Sequence, residues 1–176
     1  LREGLPDNVL LVIDAAYAEY VTRNDYTAGS ELVEEYDNVV MTRTFSKIFG
    51  LAALRLGWAY CSPQIADVLN RVRGPFNVTA AAQAAGVAAL ADISHTDAAL
   101  AHNDVWLPWL TGKLKDLGLT VHPSVGNFVL VRFADTEAAN AAYAAMMKAG
   151  IIARQMGGYG LPECIRITIG LEDENQ

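Results

Sequence analysis

Val9-Leu10-Leu11-Val12-Ile13-Asp14 is an unbroken aliphatic run that ends in a carboxylate. Consecutive apolar residues without polar alternation predict a strand buried on both faces, as in a parallel sheet. Asn38-Val39-Val40-Met41 predicts a second strand, and Leu56-Gly57-Trp58-Ala59-Tyr60-Cys61 a third. The segment between the first two is polar and carries Asp25, Gly29 and Ser30. It predicts a helix over residues 30–36, with Ser30 as its N-cap. Ser62-Pro63 opens a further amphipathic helix that runs through Arg73, and Gly74-Pro75 breaks it.

Beyond that break, residues 79–117 read as helix, with an interruption within 92–96 and a kink at Pro108. After Gly118 the pattern changes. Residues 119–122 and 127–133 read as strands. Asp135-Thr136 caps an alanine-rich helix over 137–148, and Gly150 stands in the C-terminal glycine position. Two more strands, 151–155 and 164–169, flank the loop Gly157-Gly158-Tyr159-Gly160. The order is β-α-β-β-α, then β-β-α-β-β. It predicts an α/β lobe over residues 1–78, long connecting helices over 79–117, and a smaller α+β lobe over 118–176.

The 176 residues are 52% hydrophobic and 19% charged, enough apolar material for a packed core. The net charge is -7, which argues against a broad nucleic-acid surface. An anion must therefore be held by a local, preorganised site. Cys61 and Cys164 lie far apart and form no disulfide framework, and the scattered His95, His102 and His122 have no metal-ligand spacing. No apolar stretch reaches the ~20 residues of a membrane helix. The expectation is a cytoplasmic protein with no metal, membrane or nucleic-acid partner.

The chemistry-bearing residues sit at the ends of the first two strands. Asp14 closes the first strand, where open α/β sheets place their ligands, and Tyr17 follows three residues on. Thr44-Phe45-Ser46-Lys47 follows the second. Phe45, Ile48 and Phe49 give Lys47 apolar flanks, the setting in which a lysine becomes a nucleophilic amine. Thr44 and Ser46 add hydroxyls, and Arg55 adds a guanidinium eight residues after the lysine, a composition suited to a phosphate. Singly, each has an ordinary explanation: a turn carboxylate, a solvated lysine, a surface arginine. The ordered set is more specific.

Asp14-Ala15-Ala16-Tyr17, Thr44-Phe45-Ser46-Lys47 and Arg55-Leu56-Gly57-Trp58 resemble the fold-type I aminotransferases dependent on pyridoxal 5'-phosphate, and most closely the histidinol-phosphate aminotransferase family. The resemblance runs over essentially the whole chain. It implies a large domain with a mostly parallel sheet and a small C-terminal α+β domain. It implies Lys47 as the amine that holds the cofactor and moves the Cα proton, and Asp14 as the partner of the ring nitrogen. Tyr17 would bond the ring hydroxyl, and Thr44, Ser46 and Arg55 would hold the phosphate. In Ile151-Ile152-Ala153-Arg154 and Cys164-Ile165-Arg166, the resemblance assigns Arg166 to the substrate α-carboxylate and Arg154 to the substrate phosphate.

The implied reaction moves an amino group between glutamate and imidazole-acetol phosphate, giving L-histidinol phosphate in a homodimeric enzyme. A related aromatic amino-acid aminotransferase or a phosphothreonine-type decarboxylase on the same fold is the alternative. The family pattern has a phosphate-cupping glycine loop and a ring-stacking aromatic upstream of residue 1. The sequence therefore reads as the later part of such a protein, not expected to turn over substrate by itself.

Overall fold

The computed structural model describes residues 2–6 and 8–176. Its strands and helices, in chain order, are β1 (Leu11–Asp14), α1 (Ser30–Glu35), β2 (Val39–Thr44), β3 (Gly57–Cys61), α2 (Pro63–Val72), α3 (Ala80–Ala91), α4 (Ile93–Asp116), β4 (Thr120–His122), β5 (Phe128–Arg132), α5 (Thr136–Lys148), β6 (Arg154–Gln155), β7 (Cys164–Thr168) and α6 (Glu172–Asn175). The chain divides into two compact units, one ending at Asp97 and the other running from Ala98 to Gln176. The boundary lies inside α4, within the stretch 79–117 expected to join the two lobes.

In the first unit β1 pairs parallel with β2, and β2 pairs antiparallel with β3. The predicted two-sided burial belongs to β2 and not to β1. Val39, Val40 and Met41 are at most 5% exposed, whereas Val12 is 54% exposed. The reason is position: β2 is the central strand of the three, and β1 and β3 are its edges. The inner face of β1 and β2 packs Leu11, Ile13, Val39 and Met41 against Val33, Leu32 and Tyr36 of and beside α1. Burying side chains of this size contributes roughly 1.5–3 kcal/mol each.

Ser30 is not the N-cap of α1. That position is Gly29, at φ 96, and Ser30 is the first helical residue. A Cβ at Gly29 would lie 2.6 Å from Ile13 Cδ1, so the chain enters α1 through a left-handed glycine pressed against the core. The other predicted ends match the structure closely. Pro63 opens α2 after Ser62, the Asp135 carboxylate accepts from Ala138 N at 2.8 Å, and Gly150 follows α5 at φ 82. The interruption in the helical stretch falls at Asp92, between α3 and α4.

The second unit is a four-stranded antiparallel sheet ordered β4-β5-β7-β6. One face carries Val121, Val129, Val131 and Ile167, packed against Trp106, Leu107, Leu110 and Leu114 of α4. Alternation along the strands puts Leu130, Arg166 and Arg154 on the other face. His102 ties α4 to this unit, its Nε2 donating to Gly170 O at 2.8 Å.

Candidate active site

Parallel pairing brings the C-terminal ends of β1 and β2 side by side, with Asp14 in register with Thr42. Two short turns begin there. The Asp14 carboxylate accepts from Ala16 N at 3.1 Å, and the Thr44 hydroxyl accepts from Ser46 N at 3.0 Å. Each is a side chain bonding the backbone two residues on, the chemistry by which Asp and Thr start turns. Both strands therefore leave the sheet under the control of side chains that the sequence had marked.

The Lys47 loop is anchored on both sides of the lysine. Phe45 is 6% and Ile48 2% exposed, so the apolar flanks are buried while the half-buried amine projects from between them. Phe45 N donates to Leu56 O at 3.1 Å, Gly50 N to Lys47 O at 2.9 Å and Leu51 N to Phe45 O at 2.9 Å. His95 Nε2 lies 3.1 Å from Ile48 O; a carbonyl only accepts, so the ring nitrogen donates. The Lys47 ammonium stands over the Tyr17 ring, 4.8 Å from its centroid.

Arg55 adopts a left-handed backbone at φ 53, rare for a residue with a side chain. Its Nη1 donates to Ala52 O at 2.8 Å and to the Ser46 hydroxyl at 3.4 Å. Two residues on, a Cβ at Gly57 would lie 2.8 Å from Arg43 O. The glycine lets β3 close onto β2, which brings Arg55 back beside Ser46. Strain of this kind clusters where a chain presents a side chain to a ligand.

These elements enclose an open cavity of about 410 Å³ lined by Asp14, Thr42, Arg43, Thr44, Ser46, Lys47 and Arg55, among others. Its size falls within the range of small-molecule sites. One lysine, hydroxyl residues, two arginines and an aspartate line one space. That donor set suits a ligand bearing an electrophilic carbon, a dianion and a protonated ring nitrogen.

Five predicted cofactor residues thus meet at one cavity, and Tyr17 touches the lysine within it. Arg154 and Arg166 lie in the second unit, directly opposite each other on β6 and β7. Arg154 Nη2 donates to the Tyr159 hydroxyl at 3.0 Å, and the Arg166 guanidinium lies 5.2 Å from the Phe128 ring centroid. The Arg166 Nε is buried without a hydrogen-bond partner. Arg132 pairs with Glu163 at 3.4 Å.

Sequence reasoning missed Glu19 and Arg43. Arg43 Nη2 meets Glu19 Oε1 at 2.6 Å, with both side chains about one-fifth exposed (20% and 18%). A signal was present: an arginine between two threonines in a strand otherwise free of charge. Burial pushes the neighbouring Tyr20 hydroxyl above its ordinary range, and Tyr17 and the charge of Glu19 add to the effect. Among the described residues no group of His, Cys, Asp and Glu could hold a metal ion, and no helix is long and apolar enough to cross a membrane.

A lysine, hydroxyls and a guanidinium at the C-terminal edge of an α/β sheet, followed by a small antiparallel lobe, match the fold of the type I pyridoxal-phosphate-dependent transferases. The chain belongs to the aminotransferase class I and II family, whose pattern it matches over residues 5–176. It is 60% identical to histidinol-phosphate aminotransferase of Paramagnetospirillum magneticum, covering 100% of this chain and 49% of that protein. It is 61% identical to the protein of the same name from Rhodospirillum centenum, covering 99% of this chain and 48% of that one. The crystal structure of histidinol-phosphate aminotransferase from Sinorhizobium meliloti in complex with pyridoxal-5'-phosphate superposes with a TM-score of 0.91 at 32% identity, over 99% of this chain and 48% of that one. The aspartate aminotransferase of Thermotoga maritima, at 16% identity and a TM-score of 0.82, shares the fold. The chain spans about half the length of the curated relatives it matches.

Proposed function

We propose that the protein to which this chain belongs is a cytoplasmic, homodimeric aminotransferase that uses pyridoxal 5'-phosphate. It exchanges an amino group between L-histidinol phosphate and glutamate, through their keto partners. The observation that carries the reading is the Lys47 cavity, whose lining joins a lysine, hydroxyl residues, two arginines and an aspartate. The 60% identity to a histidinol-phosphate aminotransferase supports the choice of substrate.

When bound, pyridoxal phosphate supplies an electron sink for the negative charge developed at the substrate Cα. Arg55 and the hydroxyls of Thr44 and Ser46 hold its phosphate. The Asp14 carboxylate accepts a hydrogen bond from the protonated ring nitrogen and keeps that proton in place. The Tyr17 hydroxyl bonds the ring hydroxyl. The Lys47 amine would anchor the cofactor, and it would take and return the substrate Cα proton.

Arg154 and Arg166 hold the substrate anions. Opposed residues of an antiparallel pair lie about 4.5–5.5 Å apart at their Cβ atoms. Two forks at that spacing suit one shared anion better than two separate ones. That anion is the phosphate of the phosphorylated amino alcohol in one half-reaction and a glutamate carboxylate in the other.

The test is Lys47→Ala in the full-length protein. The wild type is expected to give the visible absorption band of covalently held cofactor, and the variant is expected to lose it. Single-turnover reaction with histidinol phosphate and with phenylalanine then tests the donor. A band that survives the substitution overturns the role of Lys47. A preference for phenylalanine overturns the substrate.

A further inference from the structure

We infer that the Glu19–Arg43 ion pair is a positioning device that sets Tyr17 against Lys47. Tyr17 stands immediately before a single 3-10 turn, Ala18–Tyr20, which has no side-chain cap at its start. Its backbone bonds are local: Ala18 N to Ala15 O at 3.1 Å, Tyr20 N to Tyr17 O at 3.0 Å and Val21 N to Ala18 O at 3.2 Å. Its two ends are seated, Ala15 N on Thr42 O at 2.9 Å and the Tyr20 side chain in the interior at 8% exposed. Glu19, inside it, reaches the central strand by its bond of 2.6 Å to Arg43.

Arg43 is itself fixed. It is paired in register with Trp58 of β3, and its guanidinium lies 5.8 Å from that ring centroid. It lies on the side of β2 that carries Val39 and Met41, while Thr42 and Thr44 alternate to the opposite side. The backbone of β2 is therefore shared. One face carries the Arg43 tether, and the end of the strand leads through Thr44 and Ser46 to Lys47. The tether sits on β2 and Lys47 on the loop that directly follows it, with Tyr17 against the lysine.

Stability alone does not account for the pair. A largely buried ion pair is often no better than apolar residues of similar size, and the Arg43 Nε is buried with no partner. What the single charge-assisted bond adds is direction, because it fixes the Glu19 carboxylate to the central strand. Glu19 does not line the cavity and acts through Tyr17; Arg43 lines it and is assigned the positioning role alone. The identity of Lys47 as the reacting amine rests on the proposed function, but the geometric claim does not.

The experiment is a double-mutant cycle on the cofactor-free full-length protein. Trace labelling of Lys47 by an amine-directed reagent is quantified by mass spectrometry, with Lys113 and Lys148 as internal standards. Tyr17→Leu removes the ring and is expected to raise the Lys47 labelling rate about two- to fivefold, the range that a partly exposed cation–π contact represents. Glu19→Gln is expected to give the same rise, and the double variant no more than either single one.

Arg43→Lys, which keeps the charge but not the guanidinium geometry, is expected to give a smaller rise and guards against failure of the first variant to fold. An unchanged rate in Glu19→Gln or in Tyr17→Leu overturns the inference, as does a double variant whose effects multiply. Absence of the visible cofactor band from the loaded wild type would instead overturn the proposed function and leave the labelling result standing.

Discussion

Arg154 and Arg166 oppose each other directly across the β6–β7 pair, and Leu130 flanks Arg166 on its other side. Like charges placed opposite each other in a sheet are unfavourable. Each guanidinium is drawn to its own aromatic ring, Arg154 to Tyr159 and Arg166 to Phe128. An anion between them would turn the repulsion into two attractions. In the cofactor-loaded full-length protein, inorganic phosphate is expected to raise the melting temperature. Arg154→Gln is expected to stabilise the ligand-free protein by about 0.2–1 kcal/mol and to abolish most of the phosphate gain. Calorimetry with and without phosphate checks both, and a variant that keeps the full gain contradicts the shared site.

Gly57→Ala tests the closure of β3 on β2. The added Cβ would meet Arg43 O at 2.8 Å, a backbone atom that cannot swing aside. The strands must part, at a cost of about 1–3 kcal/mol. Because Arg55 lies two residues upstream and reaches Ser46 only through this approach, cofactor affinity is expected to fall with stability. Denaturant unfolding and cofactor titration measure the two effects. Lost stability with unchanged cofactor affinity would separate Arg55 from the phosphate.

The element order and most helix ends were legible because they rest on local chemistry: Pro63 after Ser62, Asp135 three residues before Ala138, glycine at 150. The cavity residues were legible because each closes or follows an apolar strand. Burial was less so. The run 9–13 has a two-sided pattern, yet two-sided burial belongs to β2, since which strand is central is a property of the sheet. Glycine 29 displaced Ser30 as the cap because the approach of Ile13 is a tertiary contact. The Glu19–Arg43 pair spans 24 residues, and the lone charge in β2 does not by itself name its partner. The pairing of Arg154 with Arg166 likewise depends on β6 and β7 meeting as neighbours. The family resemblance assigns the two arginines to separate anions, and their direct opposition across β6 and β7 was not legible in the sequence.

Acid is expected to loosen the start of α4. The Asp92 carboxylate accepts from the Ser94 hydroxyl at 2.7 Å and from His95 N at 3.1 Å, filling the role of an N-cap. The Ser94 bond, then the His95 backbone bond, hold its carboxyl below the usual range. A folded pKa below the unfolded one means that the contribution is complete above the unfolded value, about 3.9, and is lost as pH falls through the folded value. Asp92→Asn is expected to flatten this part of the pH profile. Hydrogen exchange at residues 93–97, followed from neutral to acid, reads it. An identical acid response in wild type and variant would remove the cap from the account.

The two cysteines are expected to differ in reactivity. Cys164 is 1% exposed, at the start of β7. Burial pushes its thiol above the ordinary range, the charge of Glu163 adds to this, and Arg132 partly offsets it. Cys61, at the end of β3, is half-buried. Alkylation under native conditions is therefore expected to modify Cys61 first and to leave Cys164 intact until the protein unfolds. Glu163→Gln discriminates between causes. It removes the smaller upward influence and leaves the larger one, burial, in place, so Cys164 is expected to stay protected. Mass spectrometry of the alkylated protein decides. Rapid native labelling of Cys164 in the variant would show that the Glu163 charge, rather than burial, keeps this thiol inert.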